Sequence, residues 1–206
     1  MNSQRTWRRL RCALSRVTIG RGSAGKRIVL GVAVLSLVGA PAAIAATGTA
    51  TISAGSLSFV SAPPNVSFAG TLNGLDQTLS SAGQAIDVGD ATGSGTGWNV
   101  TATSTTFTTG GGTPHTLATT ATSLTSAPTD ACDTGATCTL ATNSVTYPYV
   151  LPAATTAPTA TKLFNAAANT GLGNQTVTPT WKLAVPASTF AGTYTSTWTF
   201  TLASGP

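Results

Sequence analysis

After residue 45 the chain carries few side chains able to do chemistry: five aspartates, two lysines, one histidine and two cysteines, with no Glu and no Arg. Two carboxylates held near one another could hydrolyse a glycan, one as acid and the other as base or nucleophile. Asp87 with Asp90, and Asp130 with Asp133, are the close pairs, and both stand among small residues where aspartate ordinarily shapes turns. Turn formation is therefore the stronger reading, and a Ca²⁺ site on Asp87 and Asp90 lacks the further oxygen ligands such an ion takes. His115 follows Gly-Gly-Gly-Thr-Pro, which reads as an exposed loop with no nucleophile or orienting carboxylate beside it. Gly93-x-Gly95-x-Gly97 precedes an alternating segment instead of a helix, so it lacks the helix N-terminus with which glycine-rich loops hold phosphate. These residues predict no catalytic site, no metal site and no cofactor. Cys132 and Cys138, with five residues between them, read as a disulfide in an exported chain, because a zinc site needs four ligands and the single His lies elsewhere.

Export is itself a reading of the sequence. Arg5, Arg8, Arg9, Arg11, Arg16, Arg21, Lys26 and Arg27 are followed by the apolar run Ile28 to Val38 and then by small residues ending in Ala43-Ile44-Ala45. These are the three parts of a secretory signal, and eleven apolar residues fall short of the roughly twenty that a spanning helix needs. Residues 1–45 are expected to be a signal peptide removed after Ala45, leaving 46–206 as one domain with no membrane association after removal. That domain has Lys162 and Lys182 against five aspartates, a balance that cannot neutralise a run of phosphates, so nucleic acid is excluded as a partner.

The elements that must position these residues are strands. Tyr194-Thr-Ser-Thr-Trp198-Thr-Phe200-Thr-Leu202 alternates aromatic and threonine, the period of a strand with one wet face. Trp181 to Val185 and Trp98 to Thr103 repeat the pattern, the first stopped by Pro186 and the second entered from the glycine run. Weaker strand candidates are 56–60, 66–69, 84–88, 116–118, 138–142, 144–147, 162–165 and 175–177. Thr supplies about 24% of residues 46–206, yet twelve aromatics spread through the same span argue for a packed core over a mucin-like stalk. No segment beyond residue 45 has a 3.6-residue period. The expected fold is all-β, an antiparallel β-sandwich or partly closed barrel, with a long Thr/Ala-rich loop excursion over 109–160.

Trp98-Asn-Val100 and Trp181-Lys-Leu183 are two W-x-[L/V] tripeptides, each opening an alternating strand. With Leu57-Ser-Phe59, Gly95-Thr-Gly97 before the first tryptophan, Ala191-Gly-Thr-Tyr194 and the closing Trp198 strand, the chain resembles the WxL domain family from about Leu57 to Leu202. That resemblance implies a secreted protein of Gram-positive bacteria, held non-covalently at the cell surface on peptidoglycan or an associated wall glycan, with the two tryptophan motifs implicated in binding. Other surface proteins are a further class of partner. On a strand, residues i and i+2 point the same way, so Trp98 with Val100, and Trp181 with Leu183, each make one apolar face that can either pack a core or meet a ligand. Two rival functions remain. Thr-rich faces and low charge would suit a structural subunit of an extracellular matrix or surface filament, and a secreted glycan hydrolase using Asp87 and Asp90 ranks last.

Overall fold

β-Branched and aromatic side chains at every second position favour the pleated surface, where restricted χ1 angles cost little. The computed structural model describes residues 44–81 and 83–206, so the expected signal peptide falls almost wholly outside the described residues. Residues Ala50–Pro206 form one compact unit. Among the described residues there are strands and no helix. In chain order they are β1 (Leu57–Phe59), β2 (Gln77–Ser81), β3 (Ile86–Asp90), β4 (Trp98–Thr105), β5 (Thr108–Thr109), β6 (Thr122–Leu124) and β7 (Thr129–Cys132). β8 (Tyr149–Val150), β9 (Ala153–Ala154), β10 (Thr161–Ala166), β11 (Gly173–Thr178), β12 (Trp181–Val185), β13 (Tyr194–Thr195) and β14 (Trp198–Ser204) follow.

They make an antiparallel β-sandwich of open sheets, without a closed barrel among the described residues. One sheet runs β1-β3-β11-β7, a second β10-β4-β14 with β9 added parallel to the end of β4, and a third β2-β12-β6-β8. β13 and β5 form a separate ribbon. Ile86 and Val88 of the first sheet, Val100 and Phe164 of the second, and Trp181 of the third meet in one buried cluster. Trp181 packs edge-on against Trp198 with ring centroids 4.8 Å apart, which joins the second sheet to the third.

The period-two reading of the C-terminal segment holds. Trp198, Phe200 and Leu202 are half-buried while Thr199 and Thr201 are exposed. The strand is nevertheless split at Ser196-Thr197, where Thr105 N–H donates to Thr197 O and Ser196 Oγ donates to Thr105 O. Those bonds fall where β4 ends, so the chain leaves β5, the partner of β13, and takes up β4 as the partner of β14.

Four expected strands form differently. Residues 66–69 join no ladder, since Pro63 and Pro64 remove donors on the approach and Phe68 is taken up by side-chain packing. Segments 116–118 and 138–142 contribute only the single bridges at Thr116 and Thr139. Residues 144–147 are diverted by asparagine: Ser144 N–H donates to Asn165 Oδ1 and Val145 N–H to Asn143 Oδ1. The Thr/Ala-rich stretch 109–160 carries β6 to β9, each two to four residues long, inserted into three different sheets. Within it Cys132 and Cys138 form a disulfide with Cα atoms 5.5 Å apart, closing the loop after β7.

Candidate functional site

Both tryptophan motifs lie inside the sandwich. Trp98 and Val100 on β4 are fully buried, and Trp98 Nε1 donates 2.9 Å to Gly171 O. Gly171 has φ 76°, and a Cβ there would lie 2.5 Å from Trp98 Nε1, so the close approach that gives Trp98 its acceptor requires glycine. Trp181 on β12 is also fully buried, and its Nε1 donates to the side-chain carbonyl of Gln84, whose Nε2 donates 2.9 Å to Pro64 O. Leu183, two residues along the same face, enters a second, smaller cluster with Val185, Leu117 and Ala121. β12 thus runs from the main core out to the edge of the sandwich.

That second cluster floors an open groove of about 740 Å³. Leu79, Leu183 and Val185 make its base, Phe68, Phe107, Phe190 and Tyr194 its aromatic walls, and Ser67, Thr71, Thr189 and Thr193 supply hydroxyls. A neighbouring depression of about 830 Å³ shares Val66, Phe107 and Tyr194 and is bordered by Pro63, Pro64, Ser196, Trp198 and Phe200. Phe107 stands edge-on to Phe68 at 6.2 Å and to Trp198 at 6.4 Å, linking the two depressions through one aromatic wall. Among the described residues no charged side chain lines either of them.

One wall is unusually open. Phe190 keeps 62% of its surface exposed, although His115 stacks on it at 3.9 Å with planes 9° apart. Three bonds hold the two residues of this stack: Tyr194 Oη donates 3.0 Å to Phe190 O, and His115 is tied to β5 by a reciprocal pair with Thr109. His115, expected as a free loop side chain, is half-buried against Phe190 instead. The groove draws on five separate chain segments, which is why spacing along the sequence did not reveal it; the one local sign was Phe190, a large aromatic in the Pro186–Gly192 turn region outside any alternating run.

The carboxylates are regrouped by the first sheet. Asp90 turns inward to accept from Thr92 N–H and Oγ1, and Asp130 Oδ2 accepts from Ala141 N–H at 2.8 Å. Asp87 instead shares the sheet face with Asp133, whose Oδ1 accepts 2.7 Å from Thr176 Oγ1, and Thr176 is the register partner of Asp87. Burial, and then the negative charge of Asp133, push the Asp87 carboxyl above its ordinary range. Burial raises Asp130 as well, against the lowering bond from Ala141. Asp87 and Asp90 line neither groove. Among the described residues no three His, Cys, Asp or Glu side chains gather in a way that could hold a metal ion.

Neither curated proteins nor solved structures give a match to the chain. A family model described as "WxL domain surface cell wall-binding" matches residues 45–206, a span that contains both tryptophan motifs, the groove and every strand of the sandwich. The chain belongs to the WxL domain family of cell-wall-binding surface proteins.

Proposed function

We propose that residues 1–45 direct export and are removed after Ala45, and that the remaining domain is a non-catalytic module holding itself on the peptidoglycan of a Gram-positive wall. The observation that carries this reading is the open, uncharged aromatic groove on a domain of a wall-binding family. Trp98, Val100, Trp181 and Leu183 act as framework in this account, since three are fully buried and Leu183 keeps 5% of its surface. The described residues hold no helix long and apolar enough to cross a membrane.

The full chain, expressed with residues 1–45 in place and collected after export, should begin at Ala46 on N-terminal sequencing. It should pellet with purified peptidoglycan sacculi and stay in the supernatant without them. Failure to pellet defeats the wall-binding reading. The second reading, a subunit of a surface filament or matrix, draws support from the outer edge position of β14 with Thr199 and Thr201 exposed; ordered multimers formed without any wall would favour it. Catalysis by Asp87 and Asp90 draws no support from their positions, because neither lines either of the two depressions described above.

A further inference from the structure

We propose that the groove walled by Phe68, Phe107, Phe190 and Tyr194 is the wall-contact surface, and that it takes the neutral N-acetylhexosamine backbone of peptidoglycan by ring stacking; this rests on the wall-binding reading above. Large aromatics are normally drawn into a core, and Phe190 is instead held 62% exposed at the mouth of a concave surface. It is also braced by its neighbours. His115 covers one side of the ring, Tyr194 Oη fixes the backbone beneath it, and Thr109 fixes His115. A ring braced before binding has less freedom to lose when a ligand arrives, which is the arrangement that favours affinity. The C–H face of a pyranose is the ligand surface that matches a flat, apolar, preorganised ring.

Charge decides which wall component fits. Phosphate-bearing wall polymers need cations to pair with, and among the described residues no cation lines the groove. Lys162 and Lys182, the two lysines beyond residue 45, are engaged elsewhere, with Pro206 O and Ser80 Oγ. A neutral sugar backbone asks only for hydroxyl partners at the edges of the stacking surface. Ser67, Thr71, Thr189 and Thr193 supply them, the mostly apolar site with a few polar groups that small-ligand pockets share. The second depression, joined to the first at Phe107 and Tyr194, extends the surface in the way that an elongated chain of sugars, not a single unit, would use.

The test is co-sedimentation of the exported chain with sacculi before and after chemical stripping of phosphate-bearing polymers, with a soluble N-acetylglucosamine oligomer as competitor. Wild type should pellet equally with both preparations and be released by the oligomer. Phe190→Ala should bind about tenfold more weakly, the loss of one good stacking contact, while its circular dichroism and unfolding midpoint stay at wild-type values, because Phe190 belongs to neither buried cluster. Phe190→Tyr should retain binding, and Leu140→Ala, an exposed apolar residue that lines neither depression, should bind as wild type does. Unchanged binding by Phe190→Ala overturns the assigned site while leaving wall binding intact. Loss of wild-type binding on stripping, or no release by the oligomer, overturns the assigned ligand by a route that depends on no variant. A wild type that pellets with neither preparation removes the wall-binding reading and this proposal with it.

Discussion

The two W-x-[V/L] motifs look alike in sequence and occupy different places in the molecule. Trp98 and Val100 both end in the main core, and the indole N–H is satisfied by a backbone carbonyl in the β10–β11 connection, that of Gly171. Trp181 ends in that same core but Leu183 leaves it for the floor of the groove, and the Trp181 N–H is satisfied by a side chain, Gln84. Gln84 in turn holds Pro64, which borders the second depression. The first motif therefore closes the core, and the second ties the core to the groove. Repetition of a tripeptide on two strands reports a shared backbone geometry and leaves the role of each copy to its neighbours.

The contrast is broken most forcefully at the tryptophans. Replacing either by Ala removes a fully buried indole, and each change should cost about 3–5 kcal/mol in urea unfolding. Equal losses alone would not separate the motifs. The separation comes from binding measured on the fraction that still folds: Trp98→Ala should leave sacculus affinity per folded molecule unchanged, whereas Trp181→Ala should lower it, since the Gln84 amide loses the partner that orients it toward Pro64. Identical affinities for the two variants would show that the motifs are equivalent.

A finer contrast sets the two acceptors against each other. Gly171→Ala forces a side chain into a left-handed backbone and against Trp98, at about 1–3 kcal/mol. Gln84→Ala leaves the Trp181 N–H buried without an acceptor, also at about 1–3 kcal/mol. Thermal unfolding should rank them close together. Only Gln84→Ala should also weaken wall binding, because only it frees Pro64 on the groove side.

Much of this architecture was legible in the residues. Alternation along Trp98–Thr103, Trp181–Val185 and Tyr194–Leu202 specified strands and their buried faces, since a one-residue slip would expose every aromatic. The disulfide followed from two thiols in a short glycine-containing loop. What escaped was whatever depends on sheet order. Asp87 and Asp133 lie far apart in sequence and meet only because β11 pairs with both β3 and β7, whereas the nearer partners Asp90 and Asp130 turn to the backbone donors of Thr92 and Ala141. The groove was hidden for the same reason, with Phe68, Phe107 and Phe190 contributed by segments that no periodicity connects. Residues 66–69 alternate as a strand would, and their pattern reports side-chain packing without a ladder.

The smallest effect, that of Asp87, provides a control for both motifs, because Trp98, Gly171, Trp181 and Gln84 do not titrate. Losses caused by changing them should be independent of pH through the acid range. Asp87 behaves otherwise. Its carboxyl is raised in the folded state by burial and by Asp133, so between the ordinary carboxylate value and the raised one the folded chain binds more protons than the unfolded chain. Stability contributed by this group is therefore highest in acid and falls as pH rises through that window, and above it the full penalty of a half-buried charge facing Asp133 remains. Asp87→Asn removes the penalty. Its unfolding midpoint should exceed wild type at neutral pH by less than either motif variant loses, and the gain should vanish once the pH drops below the ordinary carboxylate range. Asp130, raised in the same direction, keeps a residual slope in the variant. A neutral-pH gain absent from Asp87→Asn, or a pH-dependent loss in Trp98→Ala, would mean that the carboxylate face and the motif core are coupled and that the two copies cannot be compared at a single pH.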